Sequence, residues 1–412
     1  MLERDDVHAV LIRRPAGFDG RTGAASHDSL HLVPRPLYAI SRLHLTAMTD
    51  QVGIWQHARG AEPDPRFGYC TDDVARSLVV DVLHARQGLQ TAVEGNIRRS
   101  LEFLDNAFDH VSGRFLNLRR SDGEWLDSEM SEDCHARALV GLAAVITEMP
   151  GTEPADRARR LFVRALPAAV TFGALRSISG AILACDSACD AGLTVEAMPT
   201  LRLLADRLSK AFDDCVVVRR RGPADAAAAV QWPWPEPLLT YENALMPHAL
   251  IVAGMRLGRP GSLARGGAVL DWLIDIQTDE EGCFSPVGNR RWWPRTGERS
   301  QFDQQPIEAA TMVSAAAAAL RATGNRRYLA AAETAYGWFL GDNDLGVTVA
   351  DPARGACYDG LTPHGVNLNQ GAESTLMWLT ALEQMREIRH QVQGESRPGS
   401  WAESGIEMGV RP

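Results

Sequence analysis

The chain lacks most of the features that would assign a function directly. Its seven cysteines are odd in number and follow no disulfide framework, which fits a reducing, cytoplasmic setting. There is no Cys-x-x-Cys pair, so the cysteines near the motifs described below (Cys70, Cys134, Cys283 and Cys357, with His135 beside Cys134) have no zinc-site spacing. No run is apolar enough for a membrane: Ala309–Leu320 is short and Ala-rich. Met1-Leu2-Glu3-Arg4-Asp5-Asp6 has no apolar secretory core. Basic runs are missing too. The 42 Lys and Arg stand against 52 Asp and Glu, a net charge of −10, which disfavours a phosphate backbone as partner. No phosphate-cradling glycine loop, dinucleotide fingerprint or Gly-x-Ser-x-Gly elbow occurs. No cofactor, metal, nucleic acid or membrane partner is therefore expected, and the oligomeric state stays open.

What is present is a phrase that returns about every sixty residues: an acid at the start of an Ala/Leu-rich helix, behind a long loop rich in Gly and aromatics. It reads Thr71-Asp72-Asp73-Val74-Ala75-Arg76, then Ser131-Glu132-Asp133-Cys134-His135-Ala136-Arg137, then Tyr241-Glu242-Asn243. It returns as Asp303-Gln304-Gln305-Pro306-Ile307-Glu308 and as Asn369-Gln370-Gly371-Ala372-Glu373. One interval, from Asp133 to Glu242, is nearly two periods long, so one copy has lost its acid. A repeat of this length holds two helices, and six such hairpins can close into a ring with the acids at one end.

Apolar periodicity predicts twelve helices, at 36–50, 72–87, 95–108, 133–148, 156–172, 175–188, 199–212, 242–257, 261–276, 306–322, 326–340 and 370–388. The even-numbered ones are rich in small residues, as in Ser314–Leu320, and suit an inner ring. The odd-numbered ones carry a charged face, as in Arg157–Arg164, and suit an outer ring. Inner-to-outer connections are short, whereas 51–71, 109–132, 213–241, 277–305 and 341–369 are long and would emerge together on one face. The expected organisation is an arm over 1–35, one barrel domain over 36–390, and a flexible tail over 391–412.

Five acid-led helices aimed at one mouth suggest carboxylate chemistry. Asp72, Asp73, Glu132, Asp133, Glu242 and Glu308 are the catalytic candidates: one carboxylic acid would protonate a leaving oxygen and another would activate water. The competing reading is helix capping, although Glu is a poor N-cap residue. Loop aromatics beside the acids (Trp55, Trp125, Trp232, Trp234, Trp292, Trp293) suggest platforms for sugar faces, or simply rims that bury the loops. Binding candidates are Tyr69, His135, Arg137, Trp232, Trp234, Tyr241, Asn243, His248, Trp292, Trp293, Asp303, Gln304, Gln305, Asn369, Gln370 and Glu373. Gly113-Arg114-Phe115, Gly282-Cys283-Phe284 and Gly355-Ala356-Cys357-Tyr358 predict short hairpins.

With its acid-led inner helices and single elaborated face, the chain resembles the (α/α)6-barrel, six-hairpin glycosidase-like superfamily across about 36–390. Gly68-Tyr69-Cys70-Thr71-Asp72-Asp73 and Asn367-Leu368-Asn369-Gln370-Gly371-Ala372-Glu373-Ser374 are similar, more narrowly, to a bacterial glycosidase-like, glycosyltransferase-associated family. The resemblance implies an all-α (α/α)6 toroid with long loops and short β-hairpins on one face. It also implies a glycoside hydrolase or phosphorylase, its acid/base pair drawn from the inner-helix N-termini. The expectation is an inverting enzyme acting on a short oligosaccharide, with Asp73 and Glu308 facing each other across the ring. Acids locked into ion pairs with Arg76 and Arg137 would count against hydrolysis. The alternatives are a sugar 2-epimerase using His248 with His135 or His364, and a non-catalytic glycan-binding partner of a glycosyltransferase.

Overall fold

The computed structural model describes residues 34–126, 130–220 and 232–394. The expected arm and tail lie outside these residues, except for 34–35 and 391–394. In chain order the helices are α1 (Leu43–Ala47), α2 (Thr71–His84), α3 (Gln90–Ala107), α4 (Glu132–Glu148), α5 (Glu153–Ala165), α6 (Leu175–Asp190), α7 (Thr194–Arg220), α8 (Leu245–Arg256), α9 (Pro260–Ile276), α10 (Pro306–Thr323), α11 (Arg326–Phe339) and α12 (Ala372–Gln393).

The even-numbered helices form a closed inner ring. Each packs on the next, and α12 returns to α2. Small residues make this possible. A Cβ on Gly141 of α4 would stand 2.8 Å from the Ala75 carbonyl of α2, so those two inner helices touch backbone to backbone. On α10 nearly every residue from Pro306 to Ala319 is buried, as a helix crowded on all sides requires. Helices α3, α5, α7, α9 and α11 each back one inner helix from outside. The sixth outer position is different: α1 has only five residues, where the sequence predicts fifteen. The extended lead into it acts as a strap instead. Arg35 pairs with Asp342 at 2.5 Å, and Arg42 pairs with buried Asp81 at 2.5 Å.

The long loops share one end of the ring and are sewn together by short antiparallel pairs. Tyr69–Cys70 pairs with Leu118–Arg119, and Leu238–Leu239 pairs with Trp293–Pro294. A bridge from Gln304 to Leu361 joins the last two loops. Two glycines permit this stitching. At Gly68 (φ 66°) a Cβ would fall 2.1 Å from the Arg119 carbonyl, and at Gly360 (φ 133°) one would fall 2.2 Å from the Gln304 carbonyl. The predicted Gly-x-aromatic hairpins are present at 108–115 and 350–357.

Candidate active site

The loop-bearing end opens into a cleft of about 570 Å³ at the N-termini of the inner helices, within the range of small-molecule sites. Asp72, Asp73 and Arg76 come from α2, Asp133 and Arg137 from α4, and Glu373 and Ser374 from α12. Tyr241, Trp292, Gln305 and Asp359 enter from the loops.

Helix capping does not explain most of these acids. Ser131 already caps α4, accepting from Cys134 N–H at 3.3 Å, and α2 has no side-chain cap at all. Glu132 is the exception. Its carboxylate accepts from the N–H groups of Gly173 (2.8 Å) and Ala174 (2.9 Å), at the entry to α6. It therefore caps the one inner helix without an acid of its own and stays out of the cleft.

Two guanidinium groups organise the floor. Arg76 pairs with Asp73 at 2.8 Å and with Glu373 at 2.9 Å. Arg137 lies 3.2 Å from Asp72 and 2.7 Å from Glu242. Asp72 also accepts from Asn117 at 2.9 Å. Asp133 is held by Ser177 at 2.5 Å and by the Tyr241 hydroxyl. Burial of Asp133 opposes ionisation, but these two donors, with Arg137 and Arg176, outweigh it and lower its pKa. Asp73 goes the other way: burial pushes it up to about 7 against the pull of Arg76, helped by the charges of Glu373 and Asp72. Burial likewise raises Asp359, even though the Gly371 N–H donates to it at 2.8 Å.

Glu308 departs from expectation. It is buried behind the cleft, where it accepts from the Glu242 N–H and from the Asn243 side chain at 3.1 Å. Burial raises it to about 7. Its role here is to hold Glu242 at φ 49°, in the left-handed region. That backbone turn is why α8 begins at Leu245 rather than at the predicted 242. Glu308 thus does not face Asp73 across the cleft.

The binding candidates divide in the same way. Trp292 (φ 57°) lines the cleft with its ring 6.4 Å from that of Tyr241. Trp232 and Trp234 are buried, their indole N–H groups donating to Glu236 and Leu238 carbonyls, so they fasten a loop rather than present a platform. Trp293 packs edge-on against Trp232. Tyr69 stacks on Trp55 beneath the rim at 4.3 Å. Gln304 is buried and bonds Asp344 and Trp338. Asn369 accepts from the Gly60 N–H, and the Gln370 backbone carbonyl accepts from His44 Nε2–H at 2.8 Å. Asn243 bonds Thr240 and Glu308, and Asp303 sits at φ 64° in a bridge to Leu361. Only Arg137, Tyr241, Trp292, Gln305 and Glu373 of that set line the cleft.

The histidines are dispersed. His135 bonds the Ala165 carbonyl between Phe115 and Phe172, with its pKa lowered to about 4 by burial. His364 lies on an exposed hairpin turn, and His248 faces a separate cavity along the barrel axis. The histidine in the cleft wall is His57, which no sequence motif indicates. Arg76, by contrast, was legible, since i,i+3 spacing puts it on the same helical face as Asp73. Among the described residues no three His, Cys, Asp or Glu side chains gather as a metal site, and no helix is long and apolar enough to cross a membrane.

Comparison with solved structures decides the architecture. A cellobiose 2-epimerase from Bacillus thermoamylovorans superposes with TM-score 0.59 at 11% identity, over 84% of this chain and 95% of that one. The chain is an (α/α)6 barrel. A sugar epimerase from a ruminal bacterium matches this barrel with TM-score 0.58 at 13% identity, over 82% of this chain and 94% of that one. A GH76 α-mannanase from Bacteroides thetaiotaomicron matches with TM-score 0.52 at 9% identity, over 79% and 88%. At such identities the likeness concerns the fold. No protein-family model matches the sequence, and no curated protein is significantly similar to it.

Proposed function

We propose that this barrel is a carbohydrate-active enzyme that cleaves a short oligosaccharide, by water or phosphate, through carboxylate acid/base catalysis. One observation carries the reading: Asp73 and Glu373 share the Arg76 guanidinium but differ in environment. Asp73 is 3% exposed and raised to about 7, whereas the Glu373 side chain is 38% exposed and faces the open cleft. A dry acid beside a wet one is the arrangement that separates proton donor from base. Asp73 would protonate the leaving glycosidic oxygen, and Arg76 would stabilise the carboxylate left behind. Glu373 would take the proton of the incoming water. This replaces Glu308 in the expected pair. Arg76 pairs with both Asp73 and Glu373, and Arg137 pairs with Asp72 and Glu242. Such pairing weighs against hydrolysis by these acids as simple bases, and among the four the base role falls to Glu373 because its side chain is the most exposed. Asp133 and Asp359 have no such pairing, and they, with Tyr241, Gln305 and Trp292, would bind sugar hydroxyls and a sugar face. The seven free thiols support a cytoplasmic setting.

A second reading, sugar 2-epimerisation, keeps one observation in its favour: His57 stands in the cleft wall close to Asp359. The fold hosts both kinds of reaction among its neighbours and does not choose. The deciding experiment incubates the full chain with manno-, gluco- and galacto-oligosaccharides, with and without phosphate, and follows products by NMR. New reducing ends or sugar phosphates support cleavage. Epimer without chain shortening, lost in His57→Ala, supports the second reading. Tight binding with no turnover would make the chain a glycan-binding protein.

A further inference from the structure

Below the floor of the cleft a second cavity, of about 320 Å³, follows the barrel axis. Its roof is Arg76, Asp133 and Arg137, the same side chains that floor the cleft. It extends from Asp133 to Ala144 on α4 and from Arg176 to Ser187 on α6, and reaches Gln384 on α12, so it runs for roughly 16 Å at the α-helical rise. Val79, Val140, Leu183, Leu245 and Met377 form its walls.

Three of the hydroxyls that border it are already used. Thr311 donates to the Ile307 carbonyl at 2.8 Å, Thr380 to the Leu376 carbonyl at 2.8 Å, and Ser314 to Gln384 at 2.7 Å. Water inside would find few partners, and apolar cavities of ~150 Å³ already stay dry and take benzene-sized guests. Polar capacity remains at the roof end. His248 faces the cavity as a neutral imidazole, its pKa lowered to about 3 by burial and by Arg321. Arg76 Nε is buried there without an acceptor. The guanidiniums at the same end are already paired, Arg76 with Asp73 and Glu373, Arg137 with Glu242 and Arg176 with Glu236, so an anionic head would find no free counter-charge to repay its desolvation.

We infer that the barrel axis holds a second binding site, separate from the sugar cleft, for a small uncharged amphiphile whose alkyl body fills the channel and whose hydroxyl meets His248. The site does not depend on the reading of the cleft. Calorimetric titration of the full chain with 1-hexanol and with hexanoate tests it. Saturable one-to-one binding of 1-hexanol is expected, with hexanoate at least about tenfold weaker. Leu183→Trp, which fills the channel, should weaken 1-hexanol binding by about tenfold or more. Because that variant could misfold, crystals of the unaltered chain pressurised with xenon give an independent reading, with xenon expected beside Leu183 and Val140. Absence of saturable binding, tighter binding of hexanoate, unchanged binding in folded Leu183→Trp, or no xenon on the axis would each overturn the assignment.

Discussion

Asp73 carries the sharpest consequences at the scale of single residues. As a proton donor with a pKa of about 7 it must be protonated, so kcat/KM should fall as pH rises through that value. Asp73→Asn should cut kcat by ~10²–10⁴ and remove this limb of the profile, and Glu373→Gln should cut it comparably while keeping the limb but moving it to lower pH, since the Glu373 charge helps hold the Asp73 pKa up. Full activity in either variant would dismiss the pair. Glu308 makes a purely structural prediction. Its folded pKa is raised, so its contribution to stability is complete below the unfolded carboxylate range and is lost as pH rises through about 7. The stability of Glu308→Gln should therefore rise relative to the parent between pH 4 and 8, by up to about 3 kcal/mol, in denaturant titrations. Of the acids that line the cleft, Asp72, Asp73, Asp133 and Glu373 were legible because they open helices at a fixed interval, and Asp359, which comes from a loop, was not. The tasks of Glu132 and Glu308 were not, because each depends on a backbone N–H brought in from a distant segment: Gly173 for one, Glu242 for the other.

Helices with strong apolar periodicity were the most readable elements. The predicted 306–322 and 326–340 correspond to α10 and α11 within one residue. Boundaries failed where the chain does something local that periodicity does not encode. α2 runs into α3 through a π turn at Ala85–Leu89 with Gly88 at φ 88°, so α3 starts at Gln90 and not at 95. The first outer helix is cut to five residues because the preceding stretch gives its capacity to an ion pair with Asp81 on α2, an ion pair with Asp342 just past α11 and a backbone hydrogen bond to Glu333 on α11, rather than to helix. Arg42→Ala removes the partner of Asp81, which is 1% exposed, and should destabilise the barrel by about 3 kcal/mol near neutrality. Asp81 is raised to about 6, mainly by burial, so the loss should shrink at pH 5, where that carboxyl protonates in place. Equal losses at both pH values in urea titrations would contradict this.

The whole molecule depends on closure. α12 packs on both α10 and α2, and its buried Trp378 stacks on Tyr336 of α11 with ring centroids 5.5 Å apart. A chain ending at 371 should therefore lose cooperative thermal unfolding altogether rather than lose one hairpin, as seen by circular dichroism, because both of its neighbours would expose apolar faces. Ring closure was visible in the sequence as a count of repeats. The seams between loops were not, since two-residue strands such as Leu238–Leu239 carry no periodic signal.

The ring is nevertheless uneven, and that has a consequence for whatever it grips. Where five sectors open on an acid, α6 opens on Arg176 and Ser177, and borrows Glu132 from next door to finish its own end. A perfectly repeated collar would offer a hexose several equivalent rotational settings and hold none of them firmly. If the cleft binds a sugar as proposed, the blank sector would remove that degeneracy and leave the guest a single azimuth in which to seat its hydroxyls.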